Sequence, residues 1–558
     1  MPQKTLPIAA ALTALFVVAC AESEYDGSQF ITADALMRET EVLSADDMEG
    51  RGTGQPGSEK AANYIAERFE NIGLAPVNGS YYQTVELVGM TKDPEASSLD
   101  LRNRRGTLAY ESDVTLTYWS SAQEPVVDIA DAPLVFVGYG TEAPEHDWDD
   151  FKGEDVAGKV LLFLNDDPQV SEDGEELFGG EARTYYGRWT YKFEQAMKHG
   201  AAGAVIIHTT ESASYPFSVV QRNGQRESLA LNIAGSGYQV DLLAWIDSTT
   251  SEAIAASMGT DLAGLFEMAQ RRDFRPADTG HRVNAHIETN IRIVETKNVY
   301  GMVEGSDPEL ANQVIVFVGH YDHLGVNETL EGDDKIFNGA WDNGAGTAAI
   351  INVAEAFAAQ DPAPRRSLLF LACAAEEGGI NGSKWFVARP PFARSRLVGA
   401  FNIDMPQIFG VTSDLAVLGA ESSTLGDALR EVAGQTMVAM PDGSEEALVL
   451  SGDPNPRAGS FYRSDHVSFA KAGIPALAMR VSGNYVTPLS FDPAEYRAAR
   501  YHQVDDEITE EWDLIGLVRD VRVFYKTALL VANTDEMPRW VTGNEFESVW
   551  MQLHGMSE

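Results

Sequence analysis

The chain has 558 residues, of which 44% are hydrophobic and 22% are charged, which excludes a disordered chain and predicts two or three folded domains. Asp and Glu number 84 against 41 Lys and Arg, giving a net charge of −43. A surface of this sign repels phosphate, so the charge argues against nucleic acid as a partner and against direct binding to anionic membranes. We interpret most of the acid as a solvated surface that a saline medium would screen, and a smaller part as a candidate metal-binding set.

Residues 1–20 are predicted to be a signal peptide. One positive charge, Lys4, precedes an apolar run from Thr5 to Ala19, which is shorter than the roughly 20 residues that a membrane-spanning helix needs. The run ends in Val17-Val18-Ala19-Cys20, which resembles the lipobox of bacterial lipoproteins. The resemblance implies an exported protein whose only membrane contact is a lipid anchor at Cys20, on a bacterial outer membrane facing the periplasm, or an extracellular protein. A generic signal peptide cleaved nearby is the alternative.

The remaining cysteine, Cys373, would then have no disulfide partner in the mature chain, and its apolar surroundings predict an inert buried thiol.

Two helices and a glycine-dense loop follow the N-terminal segment. Helices are predicted over residues 31–43 and 59–72, the second with Ser58 as its N-cap. Between them lies Gly50-Arg51-Gly52-Thr53-Gly54-Gln55-Pro56-Gly57. This loop lacks the Lys-Ser/Thr ending of a phosphate-binding loop, so we interpret it as a structural turn.

Residues 94–283 are predicted to form an inserted, β-rich domain. Short strand-like runs alternate with Gly, Pro and Asp, and a helix from about Trp189 to His199 leads into another strand. The runs Phe136-Val137-Gly138-Tyr139-Gly140, Val156-Ala157-Gly158-Lys159-Val160 and Lys198-His199-Gly200-Ala201-Ala202-Gly203 resemble the protease-associated domain. No cluster of candidate catalytic residues occurs there, which favours a role as a lid or substrate-access module.

Beyond Asn298 short apolar strands alternate with helices. This pattern predicts an α/β fold with a mostly parallel twisted sheet flanked by helices. In such folds the functional residues lie beyond the carboxyl ends of the strands.

Ionisable residues follow three of these strands and stand at the start of one helix. They are His320 and Asp322 after the first, Asp342 at the start of the next helix, Glu376 and Glu377 after the second long strand, and Asp404 after the third. Taken one by one, each has an ordinary alternative: a surface turn for the histidine, a helix N-cap for Asp342, a solvated loop for the glutamates. Adjacent carboxylates after a buried run, however, need a cation or a shared proton.

Two later histidines, His466 and His502, compete for a last place in this set, and spacing alone does not choose between them. Mixed histidine and carboxylate ligands are typical of catalytic zinc. Two histidines and three carboxylates suffice for two metals if one carboxylate bridges, which favours a co-catalytic pair.

The order of these residues resembles the zinc exopeptidase family that includes aminopeptidase Y, bacterial leucyl aminopeptidase and glutamate carboxypeptidase II. The resemblance covers about residues 31–93 and 284–532. It implies that two Zn²⁺ are bound by the ligands His320, Asp342, Glu377, Asp404 and His502, with Asp342 as the bridge. It also implies that Glu376 is the general base, acting on a metal-bridging water, and that Asp322 orients His320. His502 is preferred to His466 because Tyr501-His502 with Asp506 matches the family's Tyr-His-x-x-x-Asp motif.

The resemblance implies a zinc-dependent aminopeptidase that removes N-terminal residues from peptides. Its predicted parts are residues 1–20 as the signal, 21–93 as a tether and the first part of the peptidase domain, 94–283 as the insertion, and 284–558 as the main part. Another exopeptidase specificity (carboxypeptidase or dipeptidyl peptidase), a glutaminyl cyclase, or a catalytically silent binding protein on the same scaffold remain alternatives. Arg463 could bind a substrate carboxylate or pair with a neighbouring acid, and we expect the pairing.

Overall fold

A computed structural model describes residues 26–169, 176–180, 182–233 and 239–556. The predicted signal peptide and Cys20 lie outside the described residues, so the lipid anchor stays a prediction. No helix in the described part of the chain combines the length and the apolarity needed to cross a membrane.

Helices form on both sides of a large sheet. They are α1 (Ala33–Leu43), α2 (Pro56–Ile72), α3 (Trp189–Lys198), α4 (Thr210–Ala213), α5 (Ser248–Ser257), α6 (Leu262–Ala269), α7 (Gly346–Ala359), α8 (Asn381–Ala388), α9 (Thr424–Gln435), α10 (His466–Lys471), α11 (Pro493–Arg500), α12 (Ile515–Asn533) and α13 (Glu547–Leu553). The start of α2 differs from the prediction: Gln55 is the N-cap and Pro56 begins the helix, because proline tolerates the first turn. Ser58 therefore caps nothing, and its hydroxyl lies 3.3 Å from that of Thr296.

The described residues form 22 strands, of which 16 join into one hydrogen-bonded sheet and six form three separate two-stranded sheets. In chain order they are β1 (Tyr82–Lys92), β2 (Ser98–Asn103), β3 (Gly106–Thr107), β4 (Leu116–Trp119), β5 (Val126–Phe136), β6 (Glu142–Ala143), β7 (Trp148–Asp149), β8 (Val160–Leu164), β9 (Gly203–Ile207), β10 (Ser228–Leu231), β11 (Leu242–Ile246), β12 (Ala277–Val303), β13 (Val314–His320), β14 (Gly325–Val326), β15 (Ile336–Phe337), β16 (Ser367–Cys373), β17 (Leu397–Ile403), β18 (Asp414–Leu418), β19 (Met437–Ala439), β20 (Glu445–Ala447), β21 (Val449–Ser451) and β22 (Ala476–Arg480). The main path is β21-β18-β22-β17-β13-β16-β12-β5-β8-β9-β11-β4.

The four strands β22, β17, β13 and β16 are parallel and carry the centre of the fold. Every residue of β13, β16 and β17 is buried, because helices cover both faces of the sheet. Side chains alternate between these faces: Ile315 and Phe317 pack with α7, whereas Val314 and Val316 pack with α8 and α10. This confirms the predicted α/β class with its parallel centre.

The 27-residue strand β12 belongs both to the region that carries the parallel strands and to the predicted insertion. Its second half pairs with β1 and β16, and its first half pairs with β2 and β5 of the predicted insertion. The region between β1 and β12 has its own apolar clusters, in which residues of β4, β5, β8, β9 and β11 pack together. The predicted boundary at 283 thus falls inside one continuous strand. The likeness of this region to a protease-associated domain stays a prediction.

Candidate metal centre

The carboxyl ends of the central strands deliver the predicted site residues to one place. His320 is the last residue of β13, Glu376 and Glu377 follow β16 after a short turn, and Asp404 directly follows β17. Asp342 lies where the chain enters α7, and His502 lies just past α11. A single cavity is bordered by His320, Asp342, Glu376, Glu377 and Asp404.

Asp342 presents its two oxygens to two different sets of partners. Its Oδ1 lies 3.4 Å from Nε2 of His320, and the same nitrogen is 3.4 Å from Oδ1 of Asp404. Its Oδ2 lies 3.2 Å from Nε2 of His502, which is 3.1 Å from Oε2 of Glu377. One carboxylate thus stands between two His-carboxylate groups.

The electrostatics of the cluster reflect an excess of negative charge. Burial opposes a proton on His502, yet the carboxylates of Asp342 and Glu377 outweigh it and raise the pKa of the imidazole to about 10. His320 is likewise buried, and the charge of Glu376 with the hydrogen bonds to Asp342 and Asp404 raises its pKa well above the usual value. The cluster therefore favours positive charge at its centre, from protons or from a cation.

Unlike the other carboxylates of the cluster, the carboxylate of Glu376 has no hydrogen bond or ion pair with any residue in the described ranges. Burial, opposed in part by the charge of His320, raises the pKa of this carboxyl well above its usual range. A carboxylate that is free of protein partners and prefers a proton is suited to proton transfer.

Asp322 is fully buried and fixes the loop of the glutamate pair. Its Oδ1 accepts the backbone N–H of Glu376 at 3.0 Å, and its Oδ2 accepts the N–H of Glu377 at 3.4 Å and the Thr53 hydroxyl at 3.0 Å. The predicted contact with His320 differs in its atoms. Nδ1 of His320 lies 3.2 Å from the backbone carbonyl of Asp322 and 3.9 Å from its carboxylate.

Asp506, the last residue of the Tyr-His-x-x-x-Asp motif, holds Asp342 in place through backbone hydrogen bonds. It accepts the N–H groups of Trp341 at 3.0 Å and Asp342 at 3.1 Å.

Arg51 is a residue that sequence reasoning left in a structural turn. Its guanidinium is fully buried and donates to the carbonyls of Tyr321 at 2.7 Å, Asn338 at 2.6 Å and Gly339 at 2.8 Å, and to that of Leu43. Tyr321 lies between His320 and Asp322, and Gly339 is three residues before Asp342. Arg51 therefore joins two of the loops that carry the cluster. A buried arginine could not be foreseen from a glycine-dense loop alone.

His323 was passed over because its neighbour His320 matched the motif. Its Nδ1 lies 2.7 Å from Oε1 of Glu377, while Oε2 of the same carboxylate faces His502. The Nε2 of His323 is buried without a hydrogen bond among the described residues. The second histidine in His320-Tyr321-Asp322-His323 was the signal that could have found it.

Two expectations concerned residues around the cluster. His466 lies outside it, with Nδ1 3.3 Å from the Asn402 side-chain amide and its ring against Phe461. The expected ion pair of Arg463 is wrong, because no described carboxylate lies within 4 Å of its side chain. Cys373 is a free, buried thiol, as predicted.

The donor set fits a transition metal. Candidate ligand atoms of His320, Asp342 and Asp404 lie within 4.8 Å of one another, as do those of His323, Asp342 and Glu377. Imidazole and carboxylate donors together suit zinc.

Residues 298–524, called the M28 segment below, match the model of peptidase family M28. The M28 segment runs from the second half of β12 into α12 and so contains every residue of the cluster.

Solved structures resemble the chain beyond the M28 segment. An aminopeptidase from Aneurinibacillus sp. strain AM-1 is 18% identical, with 92% of this chain and 97% of that chain covered and a TM-score of 0.49. BSAP, a zinc aminopeptidase from Bacillus subtilis, is 18% identical with coverages of 93% and 99% and a TM-score of 0.41. A peptidase M28 precursor from Shewanella amazonensis SB2B is 16% identical with coverages of 92% and 98% and a TM-score of 0.40.

Proposed function

We propose that the chain is a zinc-dependent aminopeptidase with a co-catalytic pair of zinc ions. His320 and Asp404 would hold one ion, Glu377 and His502 the other, and Asp342 would bridge them. The observation that carries this proposal is the division of the Asp342 oxygens, with Oδ1 3.4 Å from His320 and Oδ2 3.2 Å from His502. A carboxylate placed in this way is the ligand that a two-metal site requires.

The chemistry follows from the protein groups around the cluster. Bound zinc would supply Lewis acidity, which lowers the pKa of water and polarises a carbonyl. Glu376 would accept the proton of the attacking water and deliver it to the leaving amine. Asp322 would keep Glu376 in place, since it accepts the backbone N–H of that residue. The carboxylates that border the cavity would also attract the ammonium group of a free peptide N-terminus, which favours an aminopeptidase.

The test begins with the purified chain and an aminoacyl-arylamide. We expect about two zinc ions per chain, hydrolysis that a chelator abolishes, and recovery when zinc is added back. Glu376→Gln should retain the metal and lose roughly 10²–10⁴-fold in kcat, which is the range for general acid–base catalysis. Asp342→Asn should lose zinc from both positions.

Matched substrates and variants separate this proposal from its alternatives. An acetylated N-terminus should abolish cleavage, whereas a carboxypeptidase would tolerate it. One zinc per chain together with cyclisation of N-terminal glutamine would favour the cyclase. Full activity of Glu376→Gln would remove that residue from its role, and zinc retention by Asp342→Asn would refute the bridge.

A further inference from the structure

Three arginines border the cavity that contains the metal cluster. They are Arg463, Arg480 and Arg497, and the remaining wall includes Met405, Ser460 and Tyr501. The cavity is small, with a volume of about 70 Å³. A substrate group that enters it therefore meets the cluster and the arginines together.

Each arginine comes from a different part of the chain, and Arg463 lies three residues before α10. Arg480 ends β22, and because Ile403 pairs with Met479, Arg480 and Asp404 follow register partners on parallel strands. Arg497 lies on α11, with its guanidinium 4.7 Å from the ring of Tyr501, which stacks on His502 at 3.9 Å.

These guanidinium groups have no carboxylate or carbonyl partner. Within the described ranges none of the three forms an ion pair or a side-chain hydrogen bond. Acidic partners are abundant in the chain, which has 84 Asp and Glu residues against 41 Lys and Arg residues. Buried Arg51, by contrast, has its donors met by four carbonyls. Arg480 and Arg497 are half-buried and Arg463 is exposed, so their N–H donors are open to water or to a ligand.

The positive charges of these arginines also repel one another. Burial lowers the pKa of Arg497, and the positive charges of Arg480 and, to a smaller extent, Arg463 lower it further. On the side of the predicted insertion, burial and then the charge of Arg463 lower the pKa of Arg188 to about 9. Like charges held together are costly unless an anion offsets them.

The metal-binding carboxylates do not supply that anion. The proposed ligands Asp342, Glu377 and Asp404 carry three negative charges, and two divalent cations carry four positive ones. If the proposed zinc pair is present, the positive charge of the arginines stays uncompensated by the cluster.

We propose that Arg463, Arg480 and Arg497 bind a carboxylate of the substrate, next to the scissile bond. This rests on the proposed function and names its substrate class: peptides with an anionic group at the cleavage site. A planar guanidinium matches a carboxylate with two parallel hydrogen bonds. The carboxylate has two sources, the side chain of an N-terminal Asp or Glu, or the terminal carboxylate of a dipeptide.

Two pairs of substrates distinguish these sources. Glutamyl and glutaminyl arylamides differ only in the side-chain carboxylate, and a free dipeptide differs from its C-terminal amide only in the terminal one. For one of the pairs we expect kcat/KM to favour the anionic member by about 10–100-fold, because a site built around charged donors rejects the uncharged analogue. A preference within neither pair would overturn the inference.

Single Arg→Gln substitutions at the three positions should reduce this ratio at least fivefold. The control is Arg394→Gln, which removes an exposed arginine near the amino end of β17, at the edge opposite the site. It should leave the ratio unchanged. An equal fall of the ratio in the control, or an unchanged ratio in all three cavity variants, would refute the assignment.

A binding measurement does not depend on turnover. Glu376→Gln loaded with zinc should bind L-glutamate more tightly than L-glutamine, or a free dipeptide more tightly than its amide, by calorimetry. The added Arg480→Gln substitution should remove that difference, and its persistence would contradict the proposal. If no substrate is cleaved and no zinc is held, the proposed function fails. If neutral and anionic substrates are cleaved alike, only this inference fails.

Discussion

Arg51 offers a sharp test of how the cluster is held in place. Arg51→Met keeps much of the side-chain volume but removes the donors to the carbonyls of Leu43, Tyr321, Asn338 and Gly339. The guanidinium is fully buried, and burial lowers its pKa to about 10, so it is charged at neutral pH. The substitution therefore leaves the carbonyls of Leu43, Tyr321 and Asn338 unsatisfied, whereas that of Gly339 still accepts the N–H of Gly344 at 3.1 Å.

The expected cost follows from that count. An unsatisfied buried acceptor costs about 1–3 kcal/mol, and removal of the buried charge offsets part of the sum. At roughly 1 kcal/mol for each of the three carbonyls, the free energy of unfolding should fall by about 3 kcal/mol. Tyr321 adjoins His320, and Gly339 lies three residues before Asp342, both of which are proposed metal ligands. Zinc affinity should therefore also fall, by about 10–100-fold as for other residues that orient ligands.

Arg366→Met is the matched control. Arg366 is also fully buried and donates to Val531 at 2.6 Å, Glu536 at 3.1 Å and Thr534, all carbonyls of the C-terminal segment. Urea unfolding of the metal-free proteins should show a similar loss for both variants, whereas zinc competition with an indicator dye should show weaker binding for Arg51→Met alone. Weaker zinc binding in both variants, or a loss below about 1 kcal/mol for Arg51→Met, would refute the reasoning.

Three further expectations concern single residues. His323→Gln should weaken zinc binding about 10–100-fold, because His323 orients Glu377. His502→Gln should weaken zinc binding more. Equal losses of affinity in the two variants would indicate that His323 is itself a ligand. Asp322→Ala should lower kcat/KM about 100-fold, whereas Thr53→Val, which removes one of its hydrogen bonds, should lower it less than tenfold in the same assay. Burial lowers the pKa of His466 to about 3, so folding favours the neutral ring. Its contribution to stability is complete above pH 6.5 and is lost as the pH falls toward 3. Between pH 7 and 4.5 the free energy of unfolding should fall by roughly 2–3 kcal/mol more in the wild type than in His466→Gln.

The sequence predicts the parallel centre and the residues at its edge for one physical reason. Buried strands need continuous apolar runs, so β13, β16 and β17 stand out, and the first ionisable residue after each run lies at a common edge. His320 and Asp404 were found by this rule alone. His502 was not, because it follows α11 rather than a strand, and only the resemblance of its motif selected it over His466.

Residues that act through long-range contacts were not predictable. Arg51 and the carbonyls of Asn338 and Gly339 are separated by more than 280 positions in the sequence. No local sequence pattern predicts a hydrogen bond between residues so far apart in the chain. The arginines of the cavity come from β22, α11 and the segment before α10, so their common wall exists only after folding. Ion pairing was the ordinary expectation for Arg463 in an acidic chain, and it fails because the nearby acids face the cluster instead.

The long strand β12 also determines how the chain could be shortened. Lys92 at the end of β1 pairs with Thr289 inside β12, and the N–H of Asp93 donates to the carbonyl of Glu288 at 2.8 Å. The chain leaves the antiparallel pair of β1 and β12 after Lys92 and returns to it before Thr289. In its topology, the predicted insertion is therefore a greatly enlarged hairpin loop. A two-residue Asn-Gly turn joining Lys92 to Thr289 would close that hairpin in its shortest form without a change of register. Cuts at the apparent sequence boundary would instead leave an unpaired strand end on the shortened protein.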